Sequence, residues 1–250
     1  MKLARALVAE ILGTAFLLAT VVGSGILAHR LDLGNVGLSV LCIAFATGGV
    51  LAALISAFAS VSAHFNPMVT LVLATRREFS WRYVLPYIAA QICGAILGVI
   101  VANLMFDLPA CTISTTTRAG AGQWLGEAVA TFGLIGIIIG CSRGNGRAIP
   151  YAVAAYVAGA IYFTSSTCFA NPAVTIARIF TNTLTGIMPA HVPAFIAAQV
   201  LGGFAAAGVF GWLFAESKEE RDAVVAVAAV TLENEFHNSE KVVKERQLVR

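Results

Sequence analysis

The sequence predicts an all-α membrane protein: six membrane-spanning helices and two re-entrant half-helices, arranged as an inverted repeat. Three observations lead there. Of 250 residues 58% are hydrophobic, and the few charges avoid several long windows, the profile of a multi-pass membrane chain. Two short polar interruptions, 62–66 and 164–171, each end in Asn-Pro ahead of a brief apolar run. The segments around these interruptions then recur in the two halves of the chain.

Composition excludes several classes. The net charge of +3 comes from basic residues scattered over short loops, so no nucleic-acid partner is expected. No Cys-X-X-Cys pair, His/Cys cluster or paired carboxylates suggest a metal, a cofactor or a catalytic site. No cofactor is expected, and the chain is not expected to be an enzyme. Of the five cysteines, Cys42, Cys93 and Cys141 are read as core packing. Lys2 and Arg5 precede an apolar run that reaches Ala28 and contains Glu10, which reads as an uncleaved first span.

In chain order, spans are expected at about residues 6–28 and 36–60, then a half-helix from Asn66-Pro67 to Arg76-Arg77-Glu78. Asn is a good N-cap and Pro is tolerated at the first helical position, so Asn-Pro marks a helix entry. The run behind each Pro is only ~8–10 residues, too short to cross ~30 Å of hydrocarbon. A third span follows at 83–106, a polar loop at 107–123, and spans at 124–141 and 149–163. The second half-helix opens at Asn171-Pro172 and ends near Phe180, before a last span at 192–215.

Six spans put both termini on one side. Lys2, Arg5, Arg76, Arg77, Arg82, Arg143 and Arg147 share it, against Arg30, Arg118 and Arg178 opposite; the positive-inside rule makes it cytoplasmic. Residues 1–215 are read as one channel domain, with repeats at about 1–107 and 123–215. Residues 216–250 are read as a charged cytoplasmic tail.

Tyr87-Ile88-Ala89-Ala90-Gln91 matches Phe195-Ile196-Ala197-Ala198-Gln199, and Ala9-Glu10 parallels Gly126-Glu127. Three spans per half is odd, so the second half inserts upside down relative to the first. The half-helices then enter from opposite faces with their N-termini meeting near the midplane. Irregular backbone at that depth is tolerated only when buried in protein or lining a wet cavity. Two positive helix ends and two Asn amides there would repel cations and break a proton wire while passing neutral solutes.

Asn66-Pro67-Met68, Asn171-Pro172-Ala173, the Ala9-Glu10 near the start of span one and the Ala-Gln-Gly pattern of spans three and six resemble the major intrinsic protein family, the aquaporins and aquaglyceroporins. The resemblance covers nearly all of residues 1–215. It implies an aquaporin-like fold, a homotetramer with one pore per subunit in the lipid bilayer, passive conduction and no cofactor. Family members carry a four-residue outer constriction, and ungapped spacing from the two Asn residues places it at Ala46, Gly159, Cys168 and Val174. The last is a departure, because the family normally has Arg there.

Four small or medium residues without a fixed charge imply a wide, apolar constriction. The chain resembles a bacterial branch with valine at this place, often associated with arsenic-resistance genes, so a bacterial inner (plasma) membrane is expected. The resulting expectation is a channel for water and small neutral solutes, including glycerol and neutral metalloid hydroxides such as arsenite. The alternatives are a water-selective aquaporin and, further off, a secondary transporter or a structural membrane protein.

Other residues carry narrower expectations. Glu10 and Glu127, acids inside spans, are expected to bond the backbone of the re-entrant loops, as the resemblance implies, and His64 to be a buried hydrogen-bonding residue. Met68 stands where the family has Ala and is expected to pack rather than narrow the lumen. Arg178, one helical turn beyond Val174, is a candidate outer-mouth charge; the competing reading is an ordinary C-terminal Arg satisfying carbonyls or lipid headgroups. Cys168 is the one thiol expected to be reachable from the lumen.

Overall fold

The computed structural model describes residues 3–215, and the expected tail of 216–250 lies outside the described residues. Among the described residues eight α-helices follow in order: α1 (Leu3–Leu31), α2 (Val36–Phe58), α3 (Pro67–Thr75), α4 (Val84–Met105), α5 (Ala121–Gly144), α6 (Ile149–Phe163), α7 (Pro172–Ala177) and α8 (Val192–Leu213). Short 3₁₀ turns lead into α4, α6 and α8, and another extends α7 through Phe180. No strand occurs among the described residues.

Five helical segments among the described residues are long and apolar enough to cross a bilayer. The remaining expected span, the fifth in chain order, is α6, which has 15 residues and covers only ~22 Å at 1.5 Å per residue. Pro150 sits in its first turn, and Thr164 leaves the helix in extended backbone, so the chain turns back into the bundle early. The half-helices α3 and α7 have 9 and 6 residues, far short of a crossing.

Helix α1 packs on α2 and α4, α2 on α6, and α5 on α6, with α7 wedged against α4. Matching glycines set matching close crossings. A Cβ on Gly94 of α4 would lie 2.3 Å from the Ile11 carbonyl oxygen, and one on Gly202 of α8 would lie 2.2 Å from that of Ala128. Only glycine lets backbones approach that closely. The pairing α1–α4 is thereby repeated in α5–α8, as the inverted repeat requires.

The bundle's outward face is apolar: Phe45, Leu85, Leu201 and Trp212 are each more than 70% exposed, as a surface facing hydrocarbon should be. Cys42 and Cys93 belong to this exposed surface and Cys141 is half-buried. Their expected core role is thus corrected. In a bilayer protein an apolar side chain gains as much from lipid as from the interior, so hydrophobicity does not separate the two faces.

Candidate functional site

Each half-helix starts with the same local chemistry. Asn66 caps α3 from extended backbone, its Oδ1 accepting the Met68 N–H at 2.8 Å. Asn171 caps α7 in the same way, accepting from Ala173 at 3.0 Å and Val174 at 3.3 Å. Proline follows each cap at the first helical position, where a missing N–H is harmless.

The caps also bind each other's loops. Asn66 Nδ2 donates to the Ala170 carbonyl and Asn171 Nδ2 to the Phe65 carbonyl, both at 2.8 Å. Phe65 and Ala170 adopt left-handed backbone, with φ of 50° and 46°, which costs energy for residues with a Cβ. Buried carboxylates hold that shape. Glu10 accepts from the N–H groups of His64 (2.8 Å) and Phe65 (2.7 Å), from Ser62 Oγ and from Gln91 Nε2. Glu127 accepts from Phe169 N (2.8 Å), Ala170 N (2.9 Å) and Gln199 Nε2 (2.6 Å). Gln91 and Gln199 pass the network on to Thr70 and Thr175 of the half-helices.

His64 Nδ1 lies 3.0 Å from Thr70 Oγ1, and its ring meets Phe79 and Tyr87. Met68 is fully buried in a cluster with Val72, Ile135 and Ala206, and a Cβ on Gly203 would come within 2.5 Å of its Cε. Glycine at 203 makes the room that methionine fills, and Met68 does not line the cavity described next.

A cavity of about 310 Å³ runs past both Asn residues. Its walls are mainly aliphatic: Leu17 and Val21 from α1, Leu134 and Ile138 from α5. Helix α2 adds Ile43, Thr47, Leu51 and Ile55, and α6 adds Val153, Val157 and Ile161; spacing by four places each set on one helix face. Cys168, Val174 and Arg178 line the cavity, but Ala46 and Gly159 do not. Ala46 is half-buried, Gly159 is exposed, and a Cβ on Gly159 would meet no atom within 4 Å. The structure therefore brings two of the four residues placed by spacing to the cavity and turns the helical pair away from it. The stripe of branched aliphatics at every fourth position was the signal that could have found the right faces.

Thr47 has a further distinction. The other helical threonines among the described residues, for example Thr14 and Thr131, bond back to the carbonyl four residues earlier. Thr47 Oγ1 has no partner although it is buried.

Arg178 is 4% exposed. Its Nε donates to the Thr185 carbonyl, and its guanidinium lies 3.4 Å from the Phe169 ring centroid. Arg178 is thus inside the protein, not at a lipid headgroup. A second guanidinium, that of Arg118, sits 4.9 Å from the same ring, and spacing gave no hint of it. Arg118 donates to the carbonyls of Gly186 (2.8 Å), Ser166 (3.1 Å) and Leu184 (3.0 Å) and to Thr167 Oγ1, while its own backbone N–H reaches His191 Nδ1. It ties loop 107–120 to the second re-entrant loop. Burial brings its pKa down to about 10, with Glu127 opposing, so it stays charged at neutral pH. No carboxylate among the described residues forms an ion pair with either arginine.

The arrangement is a lumen between two capped half-helices, and among the described residues no nucleophile and base converge on it. The profile of the major intrinsic protein family matches residues 1–164 and 142–246. The chain belongs to that family. Over 212 residues this major intrinsic protein is 45% identical to aquaglyceroporin AqpS of Rhizobium meliloti (strain 1021), covering 84% of this chain and 91% of that protein. It is 35% identical to glycerol uptake facilitator protein 3 of Lactiplantibacillus plantarum over 42% of this chain and 44% of that protein. The crystal structure of the aquaglyceroporin from Plasmodium falciparum superposes with a TM-score of 0.64 at 19% identity, covering 84% of this chain and 96% of that one, a likeness of fold. This major intrinsic protein is an all-α, aquaporin-like, multi-pass membrane channel for water and small solutes, not an enzyme.

Proposed function

We propose that this protein is a passive channel of broad solute range, conducting water, glycerol and neutral metalloid hydroxides such as arsenite, and excluding ions and protons at the Asn66–Asn171 pair. The observation that carries the reading is the aliphatic cavity with Val174, not a fixed charge, immediately beyond the second motif. Valine offers no donors and little bulk, where an Arg would bring five N–H groups. The relative AqpS, an aquaglyceroporin, supports solutes beyond water.

The constriction is proposed to comprise Thr47, Cys168, Val174 and Arg178, with Val157 or Ile161 from α6 in place of Gly159. Arg178 supplies the charge that Val174 lacks, from one turn deeper in sequence and held by Phe169. At the midplane, each Asn has one Nδ2 hydrogen beyond its cross-bond, and both line the cavity. Together with two helix N-termini, these donors orient water oxygens toward the pair and disfavour cations.

The channel is further proposed to sit in a bacterial inner membrane as a homotetramer, with both termini cytoplasmic. That orientation puts Arg118 and Arg178 at the outer mouth. Stopped-flow swelling of proteoliposomes tests the function: water, glycerol and arsenite should all pass with linear, non-saturating flux. Passage of water without glycerol or arsenite would favour the water-selective alternative and sink the proposal.

A further inference from the structure

Two guanidiniums share one aromatic ring in this lumen, and among the described residues neither forms an ion pair with an acid. Arg118 and Arg178 both lie over Phe169, whose ring face attracts cations but cancels no charge. The neighbouring carboxylate, Glu127, is spent on Phe169 N, Ala170 N and Gln199. Arg118 is held through Nε and both Nη groups by three loop carbonyls and Thr167 Oγ1. Arg178 is different. Only its Nε is bonded, to Thr185, and its two Nη groups have no hydrogen-bond partner among the described residues while the side chain is buried and lines the cavity.

A buried guanidinium with no ion pair and two unbonded Nη groups is costly, and its edge matches a planar oxyanion in two parallel hydrogen bonds. We infer that the Arg178 edge of the lumen is a binding site for a small monovalent oxyanion of formate size. Thr185, whose carbonyl Arg178 Nε bonds, and Cys168 line the same cavity, and a fork of two Nη groups suits a planar anion with two oxygens on one carbon. Further in, the walls are the aliphatic side chains of Leu17, Val21 and Leu134, which offer nothing to replace hydration. The anion therefore binds at the mouth and is not conducted, and it occupies the path of neutral solutes. The inference rests on the function proposed above only for the outward opening of this lumen.

The test is ligand-observed saturation-transfer NMR of formate with the full-length protein in detergent, at constant ionic strength made up with gluconate. Wild type should give a saturable signal that nitrate displaces. Arg178→Gln should abolish it, and Arg178→Lys, which keeps the charge but not the fork, should weaken it about tenfold. Absence of a saturable signal in wild type, or an undiminished one in Arg178→Gln, overturns the site. Should Arg178→Gln fail to fold, wild-type unfolding temperature still decides: it should rise in formate over equal gluconate, and no rise counts against the site. Binding is read without flux, so a protein that passes no glycerol would defeat the proposed function and leave this site standing.

Discussion

Asn66 and Asn171 each donate a side-chain N–H to the carbonyl that precedes the other, Asn66 to Ala170 and Asn171 to Phe65, at the same 2.8 Å. Residues more than a hundred positions apart are thereby locked tip to tip. Because each Oδ1 is already committed to its own helix N-terminus, neither Asn can turn without losing two bonds. A buried hydrogen bond contributes about 1 kcal/mol and leaves a larger penalty when one partner is removed. The pair is therefore a rigid joint as well as part of the lumen wall.

The glycines beside this joint should respond unequally to an added methyl. In Gly202→Ala the new Cβ meets the Ala128 backbone oxygen at 2.2 Å, while in Gly203→Ala it meets the flexible end of Met68 at 2.5 Å. Backbone cannot step aside without parting α5 from α8. Thermal unfolding in detergent should show a loss of about 3 kcal/mol for the first and about 1 kcal/mol for the second. Equal losses would mean that α8 shifts freely.

Val174→Arg should narrow the solute range. An arginine there fills the lumen beside Cys168 and adds donors that hold water better than glycerol. Glycerol flux is expected to fall at least about tenfold, about 1.4 kcal/mol of barrier, with water flux falling much less. Glycerol flux equal to wild type would remove Val174 from the constriction.

Mercurials should block conduction through Cys168. It lines the cavity, whereas Cys42, Cys93 and Cys111 are exposed on the outside of the bundle and Cys141 does not line the cavity. Cys168→Ser should keep its swelling rate in mercuric chloride. Full block in that variant would move the reactive thiol elsewhere.

Acid should weaken the loop between α1 and α2 through Asp32. Bonds from Ser39 Oγ, the Gly34 N–H and His29 hold this carboxyl below the usual 3.8, with burial opposing. A depressed folded pKa stabilises above the unfolded value, and the contribution is lost as pH falls through the folded one. Wild type should therefore unfold at a higher temperature than Asp32→Asn at neutral pH, and the gap should close below about pH 4. A gap that persists undiminished into stronger acid would show that the bonds to Asp32 do not depend on its charge.

Legibility followed the range of the interactions. The half-helices could be read because a cap and its proline are neighbours in sequence, and the starts of α3 and α7 fall where Asn-Pro put them. Met68 packs as expected, although its partner Gly203 is far along the chain. Ala46 and Gly159 were misplaced because one residue turns a side chain by about 100° on a helix: Ala46 is one step from Thr47, and Gly159 two steps from Val157 and Ile161, which line the lumen. The cysteines were misread for a different reason, since lipid and protein interior reward the same side chains.

By itself the sequence determined the class: a hydrophobic chain of odd-numbered halves, two Asn-Pro half-helices and two buried acids that need backbone donors. Local capping, hydropathy and the parity of spans suffice for that. Only the tertiary structure decided which side chains meet in the lumen. Phe169 gathers Arg178 and Arg118 from segments about sixty residues apart, and helix rotation selects Thr47 over Ala46. The aliphatic stripe marks one face of α2, but that this face turns to the lumen, and that two arginines meet on one ring, depends on how surfaces distant in sequence pack.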